Sequence, residues 1–401
     1  MIFEYPDYYK DFHCIGGTCK DSCCAGWEVD IDDDTAEMYR NVPLPIGDRL
    51  REKLIGQKGS YRFQLCPDKR CPFLNSDGLC DIILAMGQGG LSVTCTEYPR
   101  YTIETPFYQL TDLTLSCPEA SRLFFSSEDP VEYEKREEEY HDTDWEEDPF
   151  EEEGFDEDFD EDFDETSDED FDEDIDETSD EDCDEDLDET SDEDFDEDID
   201  ETSDEDFDED MDKRDTSESQ KDLARLDRVL ALRRDIMEIL RDRSLPLAER
   251  DRKIAVLFGE DPDRILAGTR EEDELLLQKL CAMEEVNSDW HKIKESLISN
   301  LKDLENAADH LISNNGPALE NRLERFRSYL YFRYTIEIYE NRDPGMVLRF
   351  IRRCCRFLDL LLAEWCFQYG DLIPVPVLED RARIFSRQVE HSKENVEDLL
   401  F

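Results

Sequence analysis

Residues 12–27 read FHCIGGTCKDSCCAGW, and four of these sixteen residues are cysteines. Nine of the fourteen cysteines in this 401-residue chain lie within its first 117 positions. This part of the chain is built of short segments punctuated by glycine and proline, with few long periodic runs. We therefore expect it to fold around something other than a large apolar core, and bound metal is the first candidate.

The start of the chain bears on how these cysteines are used. MIFEYPDYYKDFHC carries charges and a proline where a signal peptide has an uninterrupted apolar segment. No later run reaches the roughly 18 apolar residues of a membrane span. We expect a cytoplasmic protein with no membrane partner. In that reducing compartment clustered cysteines hold metal more often than they form disulfides, and an odd number fits a disulfide framework badly.

The spacing of the cysteines bears on the choice of metal. Four, three and then no residues separate the cysteines from Cys14 to Cys24, and the chain contains no C-x-x-C pair of the kind common in structural zinc sites. Adjacent residues such as Cys23 and Cys24 rarely both reach one small ion, although they can serve a larger cluster or two separate centres. The pattern favours an iron–sulfur cluster, with zinc as the alternative metal.

Local patterns suggest a few short elements among the cysteines. TAEMYRNV is amphipathic, YRFQLC favours a strand, and CDIILAMG favours a helix. LSVTCTEYPRYTIE is rich in β-branched and aromatic residues, which predicts one extended stretch.

A long acidic segment follows. The chain has a net charge of −65, and residues 131–212 hold 52 acidic residues against two basic ones, which gives −50 there and −15 elsewhere. From residue 159 to residue 206 a 12-residue unit close to FDEDFDETSDED occurs four times. Its acids repel one another too strongly for the sparse apolar residues to pack, so we predict a disordered insert. The remainder has no basic face for nucleic acid, and neither DNA nor RNA is an expected partner.

The last part of the chain shows helical periodicity almost throughout. Six patterns follow the helix predicted over residues 221–243, at about 247–258, 271–286, 289–313, 318–341, 344–369 and 378–400. The aromatic stretch FRSYLYFRYTIEIYE predicts a helix in the core whose arginines extend toward solvent, and a substrate groove is the alternative.

These observations predict a mainly α fold in three parts. A small cysteine-rich metal-binding domain covers residues 1–127, the disordered acidic repeat insert covers residues 128–215, and an all-α helical domain covers residues 216–401. Cysteines 281, 354, 355 and 366 fall in the helical patterns and are expected to be small core residues.

Several stretches taken together resemble a known family. FHCIGGTCKDSCCAGWEVDID, CPFLNSDGLCDIILAMGQGGLSVTCTEYPRY and LSCPEASRL are similar to segments of the flagellin lysine-N-methylases, the FliB family of bacteria, and YLYFRY in the helical part is similar as well. The block from CPFL to YPR also resembles a broader group of small zinc- or iron-chelating domain proteins. The acidic insert departs from the pattern of the family.

The resemblance implies methyl transfer from S-adenosylmethionine to the ε-amino groups of flagellin lysines by an enzyme with a [4Fe-4S] cluster. Carried over residue by residue, it implies a metal-binding set made of Cys14, Cys19, Cys23, Cys24, Cys71, Cys80 and Cys95, with Cys66 and Cys117 as second choices. Four thiolates suffice for one cubane, so the others would be structural, exchange roles or hold a second metal.

No catalytic motif singles out the residues that would assist the transfer. There is no H-E-x-x-H, nucleophile triad or strand followed by G-x-G-x-x-G. Glu97, Tyr98 and Tyr101 are candidate proton acceptors or stacking partners for the donor's sulfonium, and His13 is a candidate ligand or proton shuttle. The alternative function is a noncatalytic zinc- or iron–sulfur-binding module that mediates a protein interaction.

Overall fold

The computed structural model describes residues 1–43, 45–137, 208–265, 269–283 and 290–400, with side chains described from residue 219 in the helix that begins at Asp208. Most of the predicted acidic insert, residues 128–215, lies outside this range. Its two ends reach into a strand and a helix that the structure does describe. The described residues up to 137 and from 218 onward cluster as one compact unit.

The strands of the described residues all lie in the first part of the chain. They are β1 (Ile2–Pro6), β2 (Asp30–Ile31), β3 (Leu54–Gln57), β4 (Ser60–Phe63), β5 (Arg100–Thr105), β6 (Tyr108–Leu113) and β7 (Tyr133–Glu137). One sheet has the order β5-β6-β1-β7, in which β1 runs parallel to β6 and antiparallel to β7. A smaller antiparallel sheet has the order β2-β4-β3.

Helices make up most of the rest. The first five are short: α1 (Asp33–Asn41), α2 (Ile46–Lys53), α3 (Asp81–Met86), α4 (Val93–Glu97) and α5 (Pro118–Phe125). The others are α6 (Asp208–Arg241), α7 (Leu247–Leu257), α8 (Pro262–Ile265), α9 (Arg270–Ala282), α10 (Trp290–Asp309), α11 (Leu311–Asn315), α12 (Pro317–Tyr334), α13 (Pro344–Tyr369), α14 (Val375–Val389) and α15 (Lys393–Leu400). The predicted mainly α fold is confirmed, and the structure adds strands to the small N-terminal region.

In the longest apolar helix, α13, particular residues mark where the helix begins and where it ends. Asp343 caps its start by accepting a hydrogen bond from the Met346 N–H at 3.0 Å, and Pro344 occupies the first turn, where its missing N–H costs nothing. Gly370 ends it in a left-handed conformation with φ of 101°. Between these ends α13 packs against α10, α12 and α14.

Two apolar cores hold the described elements together. The larger runs from the β1-β6 sheet and α5 into the helices, where Tyr108, Phe124 and Phe326 are all fully buried. The smaller consists of Ile31, Ala36, Tyr39, Leu50, Phe63, Phe73 and Ile82, and Cys71 and Cys80 pack against it. The cysteine-rich segments therefore have an apolar core of their own, and the first sheet shares a core with the helices.

Some local predictions are corrected by the structure. LSVTCTEYPRYTIE is not one extended stretch, because α4 occupies Val93–Glu97 before β5 begins. Ser92 caps that helix by accepting from the Cys95 N–H, and Asp32 accepts from the Val93 N–H at 3.0 Å. The aromatic stretch that begins at Phe326 is core, as predicted, but its arginine Arg333 does not reach solvent, since it is buried. No helix within the described ranges is long and apolar enough to cross a membrane.

Candidate metal centre

Four cysteines from distant parts of the sequence make up what we call the first thiol group: Cys24, Cys71, Cys80 and Cys95. Backbone pairing joins the first two, because the Cys71 N–H donates to the Cys24 carbonyl at 2.8 Å beside a bridge between Ala25 and Arg70. Cys80 pairs with Leu74 in a second bridge and precedes α3, while Cys95 lies within α4. The fold of the smaller core thus carries all four residues.

The thiols of the first group influence one another electrostatically. Burial raises the pKa of Cys71 to about 12 and that of Cys95 to about 11, and a charge on Cys24 raises both. Burial also raises the pKa of Cys80, with the same contribution from Cys24. Charges act this way only at close range. A bound cation would reverse these shifts, because a coordinated thiol is deprotonated.

The adjacent cysteines of the opening motif have opposite properties. A hydrogen bond from the Cys23 thiol lowers the pKa of Cys24, and the same bond raises the pKa of Cys23. The Ser22 hydroxyl contributes to the lower pKa of Cys24. Cys24 is therefore the member of the pair that is prepared to act as a thiolate ligand.

We call Cys14, Cys19, Cys23 and Cys117 the second thiol group. A 3₁₀ turn, Gly16–Thr18, separates the first two, and the Gly16 N–H donates to the Cys14 sulfur at 3.4 Å. Burial raises the pKa of Cys117 to about 11, and charges on Cys19 and Cys14 raise it further. Cys14 also contributes to the raised pKa of Cys19 and of Cys23. Cys14 therefore interacts electrostatically with the other three thiols of the group.

The backbone brings the two thiol groups side by side. Gly17 lies so close to the turn before Cys80 that a Cβ atom on it would stand 2.7 Å from the Asp77 carbonyl oxygen. Only glycine permits this approach without displacing the turn. The 3₁₀ turn of the second group is thereby fixed against the segment that delivers Cys80 to the first.

Among the described residues, no group of three or more His, Cys, Asp or Glu side chains is arranged around one point as a metal ion requires. Within each group the sulfur atoms do not surround a common point. The residues nevertheless fit a thiophilic metal or cluster in kind and number, because each group supplies four sulfur atoms on a separate set of backbone segments. Cys66 is exposed and belongs to neither group.

The candidate catalytic residues occupy three different environments. Glu97 is exposed at the end of α4, and His13 is exposed with its Nδ1 bonded to the Asp11 carbonyl at 3.1 Å. Tyr98 lies beside the second thiol group, and burial and a charge on Cys117 raise its pKa. The ring of Tyr101 lies 3.8 Å from the Arg333 guanidinium, and burial raises the pKa of this tyrosine too.

Comparison with known proteins finds relatives for part of the chain. A stretch of 132 residues, 31% of the chain, is 26% identical to the lysine-N-methylases of Salmonella choleraesuis strain SC-B67 and Salmonella typhimurium strain LT2. The resemblance to the FliB family is confirmed over that stretch. A stretch of the same length is 27% identical to the flagellar biosynthetic protein FliU of Salmonella muenchen and covers 78% of it.

The similarity is partial in both directions. The chain spans 33% of the length of each lysine-N-methylase that it matches. No family model matches the chain. No solved structure matches it either. The geometry of the thiol groups therefore has to be argued from this chain alone.

Sequence reasoning missed a set of residues on α14 and just beyond it that holds the cysteine loop. Arg387 donates to Asp21 at 2.5 Å and to the Ala25 carbonyl at 3.1 Å, and Arg383 also donates to Asp21. The ring of His391 lies 3.9 Å from that of Trp27 between centroids. Arg383 and Arg387 lie four residues apart in α14, which places them on one helix face. This four-residue spacing is the feature of the sequence that could have indicated the shared helix face.

A buried polar network lies next to this anchor. Glu390 accepts from the hydroxyls of Tyr329 at 2.8 Å and Tyr334 at 3.0 Å, and Arg333 approaches it to 3.5 Å. Asp112, which is fully buried, accepts from the Tyr8 hydroxyl at 2.7 Å. Its second oxygen, Oδ2, has no hydrogen-bond partner among the described residues. The network joins the first sheet to α12 and the end of α14.

Proposed function

We propose that this chain is a cytoplasmic protein lysine N-methyltransferase, which transfers methyl groups from S-adenosylmethionine to lysines of flagellin. The observation that carries the proposal is the similarity to proteins named lysine-N-methylase. The name of the third relative, a flagellar biosynthetic protein, supports a flagellar substrate.

We further propose that the first thiol group holds a [4Fe-4S] cluster. Four thiolates are the ligand set of a cubane, and Cys24 is prepared for this role by the hydrogen bond from Cys23. Residues of the smaller core pack against Cys71 and Cys80 and would keep water from one side of the cluster. With four cysteine ligands no iron of the cubane is left open to the donor, so a bound cluster would hold together the four segments that carry these cysteines.

The transfer requires that the substrate lysine be neutral. Its nitrogen forms a bond to the methyl carbon while the bond from that carbon to the sulfonium sulfur breaks, so that S-adenosylhomocysteine leaves and the nitrogen loses one proton. Glu97 is an exposed carboxylate two residues after Cys95, where it can attract the lysine ammonium and accept this proton. Tyr98 and Tyr101 stay protonated because their pKa values are raised, so they can donate hydrogen bonds but not accept the proton.

We expect Glu97→Gln to lower the rate of methylation by a factor of about 100, because the amide cannot accept a proton. Initial rates with purified flagellin, measured at matched iron content, test this expectation. Glu104→Gln is the matched control, since Glu104 is likewise an exposed carboxylate but lies on β5. Equal rates for the two variants would remove Glu97 from the reaction.

The activity itself is tested by producing flagellin in the same cells as this chain. We expect mass spectrometry to find methylated lysines in flagellin when the wild-type chain is present and unmodified lysines when it is not. The protein should be purified anaerobically, and a brown preparation absorbing near about 400 nm would indicate the cluster. Cluster-loaded protein that leaves flagellin unmodified would contradict the enzyme and support the noncatalytic module. Colourless protein with zinc would contradict the cluster.

A further inference from the structure

We propose that a cavity between α10, α13 and α14 binds an α-amino-acid group, which in this protein is the amino-acid end of S-adenosylmethionine. The assignment to the methyl donor rests on the proposed function, whereas the chemistry of the cavity does not. A cubane with four cysteine ligands leaves no iron open to the donor, so the ammonium and carboxylate of the donor need a site elsewhere in the chain.

The cavity has a volume of about 240 Å³ and lies where the three helices meet. Sites for drug-sized ligands are usually larger, at roughly 300–1,000 Å³. This cavity therefore has room for a group the size of one amino acid, and the adenosine of the donor would lie outside it. Two positive and two negative side chains line the cavity, which suits a ligand that carries both charges: Lys292, Arg381, Glu364 and Asp380.

The two positive side chains have donors without acceptors. Arg381 is 9% exposed, and its Nη2 donates to Glu364 at 2.9 Å, but its Nε has no hydrogen-bond partner among the described residues. Lys292 is exposed in the first turn of α10, and no described residue forms an ion pair with it. A buried donor that lacks an acceptor destabilises the folded state. A carboxylate bound in the cavity would supply an acceptor to both side chains.

The two carboxylates of the cavity differ in what they already bind. Both oxygens of Glu364 accept hydrogen bonds, one from Arg381 and the other from the Gln368 amide, so Glu364 fixes the arginine. The side chain of Asp380 is 50% exposed, and Arg383 donates to its Oδ1 at 2.9 Å. Oδ2 of Asp380 is therefore the acceptor that remains for the ammonium of a ligand.

Two isoleucines give the cavity an apolar wall. Ile293 of α10 and Ile384 of α14 both line it, and both are buried. They present an aliphatic surface to the methylene groups that separate the α-carbon of the donor from its sulfonium. A carboxylate, an ammonium and a short aliphatic chain together are the features of a methionine.

The cavity lies next to the part of α14 that holds the cysteine loop. Asp380 accepts from Arg383, and Arg383 in turn donates to Asp21, which lies between Cys19 and Cys23. One arginine thus contacts both the wall of the cavity and the loop. A ligand in the cavity would be bound by the same helix that positions the cysteine loop.

Isothermal titration calorimetry of the full-length, anaerobically purified protein tests the site. We expect Lys292→Glu to weaken the binding of S-adenosylmethionine and S-adenosylhomocysteine about tenfold, because the charge that meets the carboxylate is reversed. Lys302→Glu is the matched control, since Lys302 is also an exposed lysine of α10 but does not line the cavity. Methylthioadenosine, which lacks the amino-acid group, should have the same affinity for the wild-type protein and for Lys292→Glu.

Titration with free methionine distinguishes two sources of the amino-acid group. Binding of methionine that depends on Lys292, without such binding of S-adenosylmethionine, would support the site and overturn its assignment to the donor. Equal affinities of the wild-type protein and Lys292→Glu for each of these ligands, or no binding of any of them, would overturn the inference. Should Lys292→Glu fail to fold, Lys292→Ala is expected to show a smaller loss in the same direction.

Methylation of flagellin is scored separately, so that this inference and the proposed function can fail independently. Methylated flagellin, together with donor binding that Lys292→Glu leaves unchanged, would keep the proposed function and reject this site. Donor binding that depends on Lys292, together with unmodified flagellin, would keep the site and reject the methyltransferase.

Discussion

Replacing Glu324 with alanine should lower the free energy of unfolding by about 3–5 kcal/mol, because it leaves a buried arginine without its charge partner. Glu324 and Arg250 both have side chains 1% exposed, and Nη1 of the arginine donates to Oε2 of the glutamate at 2.5 Å. Arg243 adds a second ion pair at 2.9 Å. Together these contacts join the end of α6, α7 and α12.

The measurement is urea-induced unfolding followed by far-UV circular dichroism. Glu274→Ala is the control, because it breaks the exposed pair between Arg270 and Glu274 at 2.9 Å, which should contribute only about 0.3–0.5 kcal/mol. Equal losses in the two variants would mean that the buried pair stabilises the helices no more than the exposed one. Glu320 remains 3.4 Å from Arg250 and is expected to compensate only in part.

The helical part of the fold could be predicted because its signals are local. Periodicity and breaks at glycine and proline predicted the bounds of α7 and α13 to within a residue. The predicted helix over residues 378–400 is instead two helices, α14 and α15. The predicted helix over residues 289–313 is instead two helices, α10 and α11, divided at His310. No glycine or proline marks that point. The last part of the predicted helix over residues 318–341 is a 3₁₀ turn, Thr335–Ile338, for which the sequence likewise has no signal.

Long-range pairing could not be predicted in the same way. Ile2 pairs in register with Tyr108 on one side and with Glu137 on the other, which no local pattern encodes. The sequence also indicated that the cysteines bind metal without showing how they divide. Cys117 is far from Cys14 and Cys19 along the chain, yet charges on both raise its pKa. The residues of α14 that hold this loop lie more than 350 positions away along the chain.

Asp112 should make the folded state less stable as pH rises. Burial raises its pKa to about 7, partly opposed by Arg333 and by the hydrogen bond from Tyr8, while a charge on Glu390 raises it further. In the unfolded chain an aspartate has a pKa of about 3.9. Between these values the folded state holds a proton that the unfolded state has lost, so stability falls by about 1.4 kcal/mol per pH unit. The loss is complete above about pH 7 and totals about 4 kcal/mol.

His391 has the opposite effect, which would hide this dependence in the wild-type protein. Burial and the charges of Arg387 and Arg333 lower its pKa to about 3. Below the ordinary value of about 6.5 the unfolded state binds a proton that the folded state does not, so stability rises with pH up to that value. Between about pH 4 and about pH 6.5 the two slopes largely cancel. A flat stability profile of the wild-type protein is therefore no argument against either shift.

The difference between Asp112→Asn and the wild-type protein isolates the aspartate, because His391 contributes equally to both. The asparagine oxygen can still accept from Tyr8 and from the Leu113 N–H, and any cost of its amide group does not depend on pH between about 4 and 8. We expect the variant to gain about 4 kcal/mol relative to the wild-type protein between about pH 4 and about pH 7, measured by urea unfolding at matched metal content. A difference that stays constant over this range would mean that Asp112 is ionised in the folded protein throughout, which would require Arg333 to outweigh the effect of burial.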